Sequence, residues 1–256
     1  MPFASKKLMD ERGKIHHLGL GVGEVAPSVI LTAEMEQVPV IAGLLEGAVE
    51  TGRNREYLTY TGTAGGVPVS VMSTGNGCMP MAIAAEELFH LGCTALLKVG
   101  AGFALQPDCA PGALLTATAS VRGEGTVREY VGPEYPAVSD PELWEEILAA
   151  AGERGERLRS GIFRSHDAYY LESPFAPDGG ERAARWRALG VELIEHETSA
   201  LFVLGTILGM RTGALYVAKG NLSGGDALSP AQLEGRLHTC YEIAVRAIER
   251  MAKRDG

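Results

Sequence analysis

Lys98 closes the apolar run Ala95-Leu96-Leu97 and is followed by Val99-Gly100-Ala101-Gly102. An ammonium at the end of a buried strand is costly unless it reaches solvent or an anion. In open α/β sheets the carboxyl ends of strands line the ligand crevice, so the sharper reading is an anion-binding cation. The plainer one is a lysine that snorkels to the surface. Glu195-His196-Glu197 follows a β-rich run and opens an apolar helical one. Neighbouring side chains point in different directions, so these three do not chelate one metal ion. A carboxylate at a helix start is favourable in itself. Glu197 is also suited to holding vicinal hydroxyls, two acceptor oxygens for two donors. Thr74-Gly75-Asn76-Gly77 joins a strand-like run to a helix-like one. Glycines there let backbone N–H groups approach a ligand, and a helix start favours negative charge. An ordinary strand-to-helix turn fits the same residues. Gly19-Leu20-Gly21-Val22-Gly23 has the wrong spacing for a dinucleotide fingerprint and no strand before it, so it reads as a turn. His16-His17 alone reads as an exposed pair.

These groups need strands and helices to position them. β-rich runs fall at 28–32, 67–73, 94–99, 113–119, 191–194 and 213–218. Several are apolar on consecutive positions, which predicts strands covered on both faces. Helices are predicted at 80–90, at 199–208, and from Asp140-Pro141 and Ser229-Pro230, each an N-cap residue followed by proline. Leu233, Leu237, Cys240, Ala244, Ile248 and Met251 keep helical spacing, so the C-terminal helix is long and amphipathic. Segments 123–136 and 172–180 are rich in glycine and proline and read as long loops, which often carry function. The pattern predicts one α/β domain over 1–256, with a central sheet and helices on both sides.

With 256 residues, 46% of them hydrophobic and 21% charged, the chain can bury a sizeable core. The net charge of −9 argues against nucleic acid or an anionic membrane as partner, though not against a small anion held by local cations. The four cysteines, Cys78, Cys93, Cys109 and Cys240, form no CxxC pair, which points to a reducing cytoplasm and to no structural metal. No apolar run reaches the roughly 18 residues of a membrane span, and the N-terminus lacks a signal-peptide core.

Taken in order, the segments resemble the nucleoside phosphorylase family, and within it the uridine phosphorylases. They are HHLGL, NREY, STGNG leading into AIAAEEL, TALLKVGAGFALQP, TATASVRGEGTVREYVGPEYPAVSD, SHDAYY, ELIEHETSALF and GNLSGGD. The resemblance implies a single α/β domain with a twisted, partly barrel-like mixed sheet. It also implies homo-oligomers, dimers or hexamers built as trimers of dimers, whose sites are completed across a subunit interface. The implied reaction, that of a pentosyltransferase in nucleoside catabolism and salvage, cleaves the N-glycosidic bond with phosphate. It uses no organic cofactor, phosphate being the co-substrate. By the same resemblance, Glu197 binds the ribose 2′- and 3′-hydroxyls and Glu195 is a second acidic position beside it. His196 stands where a methionine backs the sugar, and Tyr169 lies near the base. His17 reaches a neighbour's site at the 5′-hydroxyl, and Arg55 is donated by the neighbour to phosphate. Thr74, Gly75, Asn76, Gly77 and Gly100 line the substrate, and Asn221 occupies the region of the purine-type catalytic aspartate.

The phosphate site departs from the family pattern. Ala33 replaces a glycine, Gln37 and Lys98 replace arginines, and Ala101 replaces a threonine. Lysine keeps the charge but not the planar bidentate grip. Losing one charge-assisted bond costs about 1.5–3 kcal/mol, or one to two decades of affinity. Arg55 and Lys98 remain as cations, so phosphate binding is expected to be weakened rather than abolished. The uracil-reading Gln-x-Arg is missing; Arg182, Arg185 and Arg187 follow nearby without an assigned place. The absence of the aspartate favours a pyrimidine or an unusual base. Two alternatives stay open. One is a nucleosidase of the same superfamily, with Glu34 or Glu36 orienting water, although Gln37 at the matching position takes no proton. The other is a nucleoside-binding protein without turnover.

Overall fold

Strands whose side chains are apolar on successive positions must be covered on both faces, and β1 (Ser28–Thr32) is buried at every residue. The computed structural model describes residues 8–254. After β1 come α1 (Gln37–Ala42), β2 (Glu46–Asn54), β3 (Tyr57–Ala64), β4 (Val67–Ser73), α2 (Cys78–His90), β5 (Ala95–Ala104) and β6 (Leu114–Gly123). The second half holds α3 (Pro141–Glu153), β7 (Leu158–His166), α4 (Gly179–Ala188), β8 (Val191–Glu195), α5 (Thr198–Leu208), β9 (Arg211–Asn221) and α6 (Pro230–Arg254).

The fold is mixed α/β. One nine-stranded sheet runs β2-β3-β4-β1-β5-β8-β7-β6-β9, and β9 returns to pair with β5. Strands β5, β8, β7, β6 and β9 therefore close on one another as a small barrel, and β4, β3 and β2 extend from it through β1. The long β5 serves both parts. It pairs in parallel with β1 at one end, and Phe103 and Ala104 pair antiparallel with β8 at the other. Gly102 permits the crossing, because a Cβ there would lie 2.5 Å from the Ile194 carbonyl oxygen.

Helices α2 and α5 pack together over one face, with Leu88, Leu201, Phe202 and Leu204 buried. Helices α1, α3 and α6 cover the other face through Ile41, Ile147, Ile243 and Ile248. Each such side chain contributes about 1.5–3 kcal/mol on burial. The predicted cap of α3 forms as written: Asp140 Oδ1 accepts from the Leu143 N–H at 2.8 Å. Residues Leu237, Cys240, Ala244, Ile248 and Met251 form the buried stripe of α6, and Leu233 is half-buried.

Several expectations need correction. Lys98 does not end a strand. It lies within β5, which continues for six more residues because its backbone stays paired with β9 as far as Asn221. Gly100, Ala101 and Gly102 are accordingly strand residues and not a turn. Strands β2, β3 and β7 lie outside the predicted runs, since β2 and much of β7 are solvated and carry no apolar run. Loop 123–136 contains a short 3-10 turn at Thr126–Arg128. Loop 172–180 runs into α4 at Gly179.

Candidate active site

The ends of β1, β5, β8 and β9 converge on a cavity of about 490 Å³. Strand β5 brings Lys98 into it, and the β8–α5 junction brings Glu195, His196 and Glu197. Burial pushes the Lys98 pKa below the ordinary lysine range, and Glu197, Glu195 and Glu34 pull against that shift without cancelling it. Its Nζ is buried and makes no hydrogen bond among the described residues. The nearest carboxylate oxygen is Glu197 Oε2 at 3.9 Å. A desolvated ammonium without a hydrogen bond is expensive, and an anion in the cavity would satisfy it.

The two glutamates of the junction divide the work. Glu195 caps α5: its Oε2 accepts from the N–H groups of Glu197 and Thr198 at 2.8 and 2.9 Å and from the Tyr216 hydroxyl at 3.1 Å. The Ser165 hydroxyl donates to its other oxygen. Glu195 is thus spent on the protein. Glu197 sits at the N-cap of α5 without capping it. Its Oε1 accepts from the Gly77 N–H at 2.8 Å, and its Oε2 lies 3.4 Å from the Tyr216 hydroxyl. A carboxylate offers about four acceptor positions, so Glu197 retains capacity for hydroxyl donors.

The turn 74–77 works differently from the anion cradle expected of it. The Thr74 and Gly75 N–H groups donate to the carbonyls of Thr32 and Ala33, at 2.8 and 3.0 Å. Gly77, at φ 100°, turns its own N–H onto Glu197. The negative charge at the start of α2 is therefore the Glu197 carboxylate, held there by the turn. Asn76 lines the cavity; Thr74, Gly75 and Gly77 do not.

Of the other predicted positions, Gln37, Gly100, Ala101, Tyr169 and His196 line the cavity together with Ala33 and Glu34. The Gln37 amide is engaged at both ends, accepting from the Thr32 hydroxyl and donating to Glu34. Gly100 lets the Tyr216 ring approach, since a Cβ would meet it at 3.0 Å. His196 stacks on Tyr169 with centroids 4.8 Å apart, and its Nδ1 donates to the His166 carbonyl at 2.8 Å. Burial pushes the neighbouring His166 down to about 4, with His196 and Arg164 adding to the shift and Glu172 opposing it.

Three more predicted residues lie outside the cavity of their own chain. Asn221 donates to the carbonyls of Gln106 and Cys109 and accepts from the Ser223 N–H, which uses its side chain on loop closure. His17 faces Glu87, with Nδ1 2.8 Å from Oε1. Arg55 is exposed on the β2–β3 turn at φ 53°, a conformation that costs a residue with a Cβ about 1–2 kcal/mol. Glu36 also lies outside it, and Arg182, Arg185 and Arg187 face Asp178, Trp186 and Ser223. Sequence reasoning missed Tyr216, Glu172, Ser173 and Lys219, all of which line the cavity.

The family model described as the phosphorylase superfamily matches residues 27–254. Uridine phosphorylase of Treponema pallidum is 35% identical over 247 residues, covering 94% of this chain and 95% of that protein. Guanosine phosphorylase of Halorubrum lacusprofundi is 34% identical over 233 residues, covering 90% and 94%. The crystal structure of uridine phosphorylase from Vibrio fischeri superposes with a TM-score of 0.84 at 26% identity, covering 94% of this chain and all of that one.

Proposed function

This chain belongs to the phosphorylase superfamily, and we propose on that basis that it cleaves the N-glycosidic bond of a nucleoside with inorganic phosphate. The observation that carries the proposal is the pairing of a buried ammonium, Lys98, which lacks a hydrogen bond among the described residues, with a carboxylate that keeps acceptor capacity, Glu197, in one cavity. Glu197 takes the 2′- and 3′-hydroxyls of the ribose. Lys98 holds phosphate beside C1′. A phosphate oxygen bonds to C1′ as the C1′–N bond breaks, and the bonding pair leaves on the base. The phosphate proton ends on the base, giving free base and ribose 1-phosphate. Positive charge that develops on the sugar meets Glu197 and the phosphate, which favours the transition state over the bound nucleoside. The chain's own residues and phosphate suffice for this step, with no cofactor.

Arg55 and His17 enter the proposal as groups given to a neighbouring copy. Both lie outside their own chain's cavity, and Arg55 is exposed and holds an unfavourable backbone conformation. The working unit is then a homo-oligomer of chains acting as single domains over 1–256. A cytoplasmic setting accords with four free, buried cysteines. The test is the product formed from a nucleoside in labelled water. Sugar 1-phosphate in step with phosphate consumption is expected; labelled free ribose, formed at the same rate without phosphate, would overturn the proposal.

A further inference from the structure

Beyond the phosphate and sugar positions, the cavity continues along Phe103, Ile194, Tyr169, Glu172, Ser173 and Lys219. Two charged groups stand on this otherwise largely apolar wall. Glu172 is buried and rigidly held. Arg164 donates through Nε and a terminal nitrogen at 2.6 and 2.9 Å, and Trp186 donates through Nε1 at 3.1 Å. The Arg164 guanidinium itself lies 3.9 Å over the Trp186 ring. Three donors leave one of about four acceptor positions, on Oε2. His166 Nε2 is 3.8 Å from that oxygen, beyond hydrogen-bond reach. Burial pushes Glu172 up, but Arg164, His166 and Trp186 more than offset it and hold the group below the ordinary carboxylate range. The Lys219 side chain is half-buried and makes no hydrogen bond or ion pair among the described residues. Its ammonium lies 4.6 Å from the Phe103 ring centre and 5.9 Å from that of Tyr169.

Resting on the phosphorolysis reading above, the geometry points to Glu172 and Lys219 as the pair that reads the base, the carboxylate accepting a ring N–H and the ammonium donating to the carbonyl beside it. A carboxylate only accepts and an ammonium only donates, so the wall complements an edge with donor and acceptor side by side. Uracil and the 6-oxopurines present that edge. Cytosine and adenine place an unprotonated ring nitrogen where the N–H would be, and its lone pair faces the carboxylate. As the C1′–N bond breaks, negative charge reaches the carbonyl oxygen, so the contact to Lys219 strengthens in the transition state. Lys219 thereby does work that Asn221, committed to backbone carbonyls, does not.

The test compares uridine and inosine with 3-methyluridine and 1-methylinosine, and with cytidine and adenosine, on the full chain and on Glu172→Gln and Lys219→Met. The wild type should favour each N–H nucleoside over its N-methyl form by about ten- to a hundredfold in kcat/KM. Glu172→Gln keeps one acceptor oxygen but loses the charge and should lower that ratio, which a merely structural role would not do. Lys219→Met should lower kcat more than it raises KM, and it leaves the Glu172–Arg164 pair intact should Glu172→Gln fail to fold. The uridine and inosine arms identify the ring. Equal turnover of N–H and N-methyl nucleosides by the wild type, or an unchanged kcat in Lys219→Met, overturns the assignment. If no nucleoside is cleaved, the phosphorolysis reading fails. Calorimetry of free uracil and hypoxanthine against their N-methyl forms then decides the pair alone: equal binding overturns it and weaker N-methyl binding supports it.

Discussion

Lys98 Nζ stands 3.9 Å from Glu197 Oε2, too far for a hydrogen bond and near enough for a strong field, while the Tyr216 hydroxyl lies 3.4 Å from the same oxygen. The separation leaves the ammonium attracted to the carboxylate but unsatisfied by it. On the proposed reading, an oxyanion against Lys98 would complete that cation and leave Glu197 to the sugar.

Replacing Lys98 with methionine should raise KM for phosphate, or lower kcat/KM for it, by about ten- to a hundredfold, the worth of one charge-assisted bond. Nucleoside affinity should change much less. The melting temperature without phosphate should stay level or rise, because the variant no longer buries an ammonium without a hydrogen bond. Steady-state kinetics with each substrate varied, and thermal melts, check both halves.

Loss of activity at alkaline pH should set in earlier than an ordinary lysine would cause. Burial lowers the Lys98 pKa, so its charge is present below that lowered value and lost as pH rises through it. The kcat/KM for phosphate should fall on that limb. Lys98→Arg should move the limb upward, since a guanidinium keeps its proton throughout the range. A limb unmoved by the substitution would assign it to another group.

The two glutamates of the β8–α5 junction should separate stability from activity. Glu195→Ala removes the cap of α5 and leaves buried hydroxyl donors unpaired, at a cost of about 2–4 kcal/mol. Glu197→Ala should cost less in denaturant midpoint and far more in kcat, because its free acceptor positions face the cavity. Similar profiles for both variants would contradict the division seen in their hydrogen bonds.

Arg55→Ala and Glu197→Ala should each be inactive alone and regain activity when co-refolded. In randomly mixed dimers on the order of a quarter of all sites combine the intact copy of each residue. Absence of recovery, with mixed oligomers shown to form, would place Arg55 outside the site.

Much of this was legible in the sequence, for identifiable reasons. Strands β1 and β4 were bounded correctly because apolar residues on consecutive positions mark strands buried on both faces. The caps of α3 and α6 announced themselves as Asp-Pro and Ser-Pro. The edge strand β2, reading EGAVETGRN, is largely solvated and carries no apolar signal, so only its pairing with β3 reveals it. Lys98 stood out as a lone cation in an apolar run. Lys219 carries the same signal after Ala214–Ala218 and could have been found by it. Glu172 could not: it lies in a proline-rich loop, and its burial depends on Arg164 and Trp186 meeting it from β7 and α4. The N–H groups of Thr74, Gly75 and Gly77 stood open to a ligand in the sequence, because only the fold shows which acceptors lie opposite them.

The most direct measurement is a crystal structure of the protein grown with phosphate and a nucleoside. Tetrahedral density within hydrogen-bond distance of Lys98 Nζ, with sugar hydroxyls on Glu197, is the predicted result. A nucleoside seated on Glu197 with saturating phosphate present and no tetrahedral density at Lys98 would contradict it.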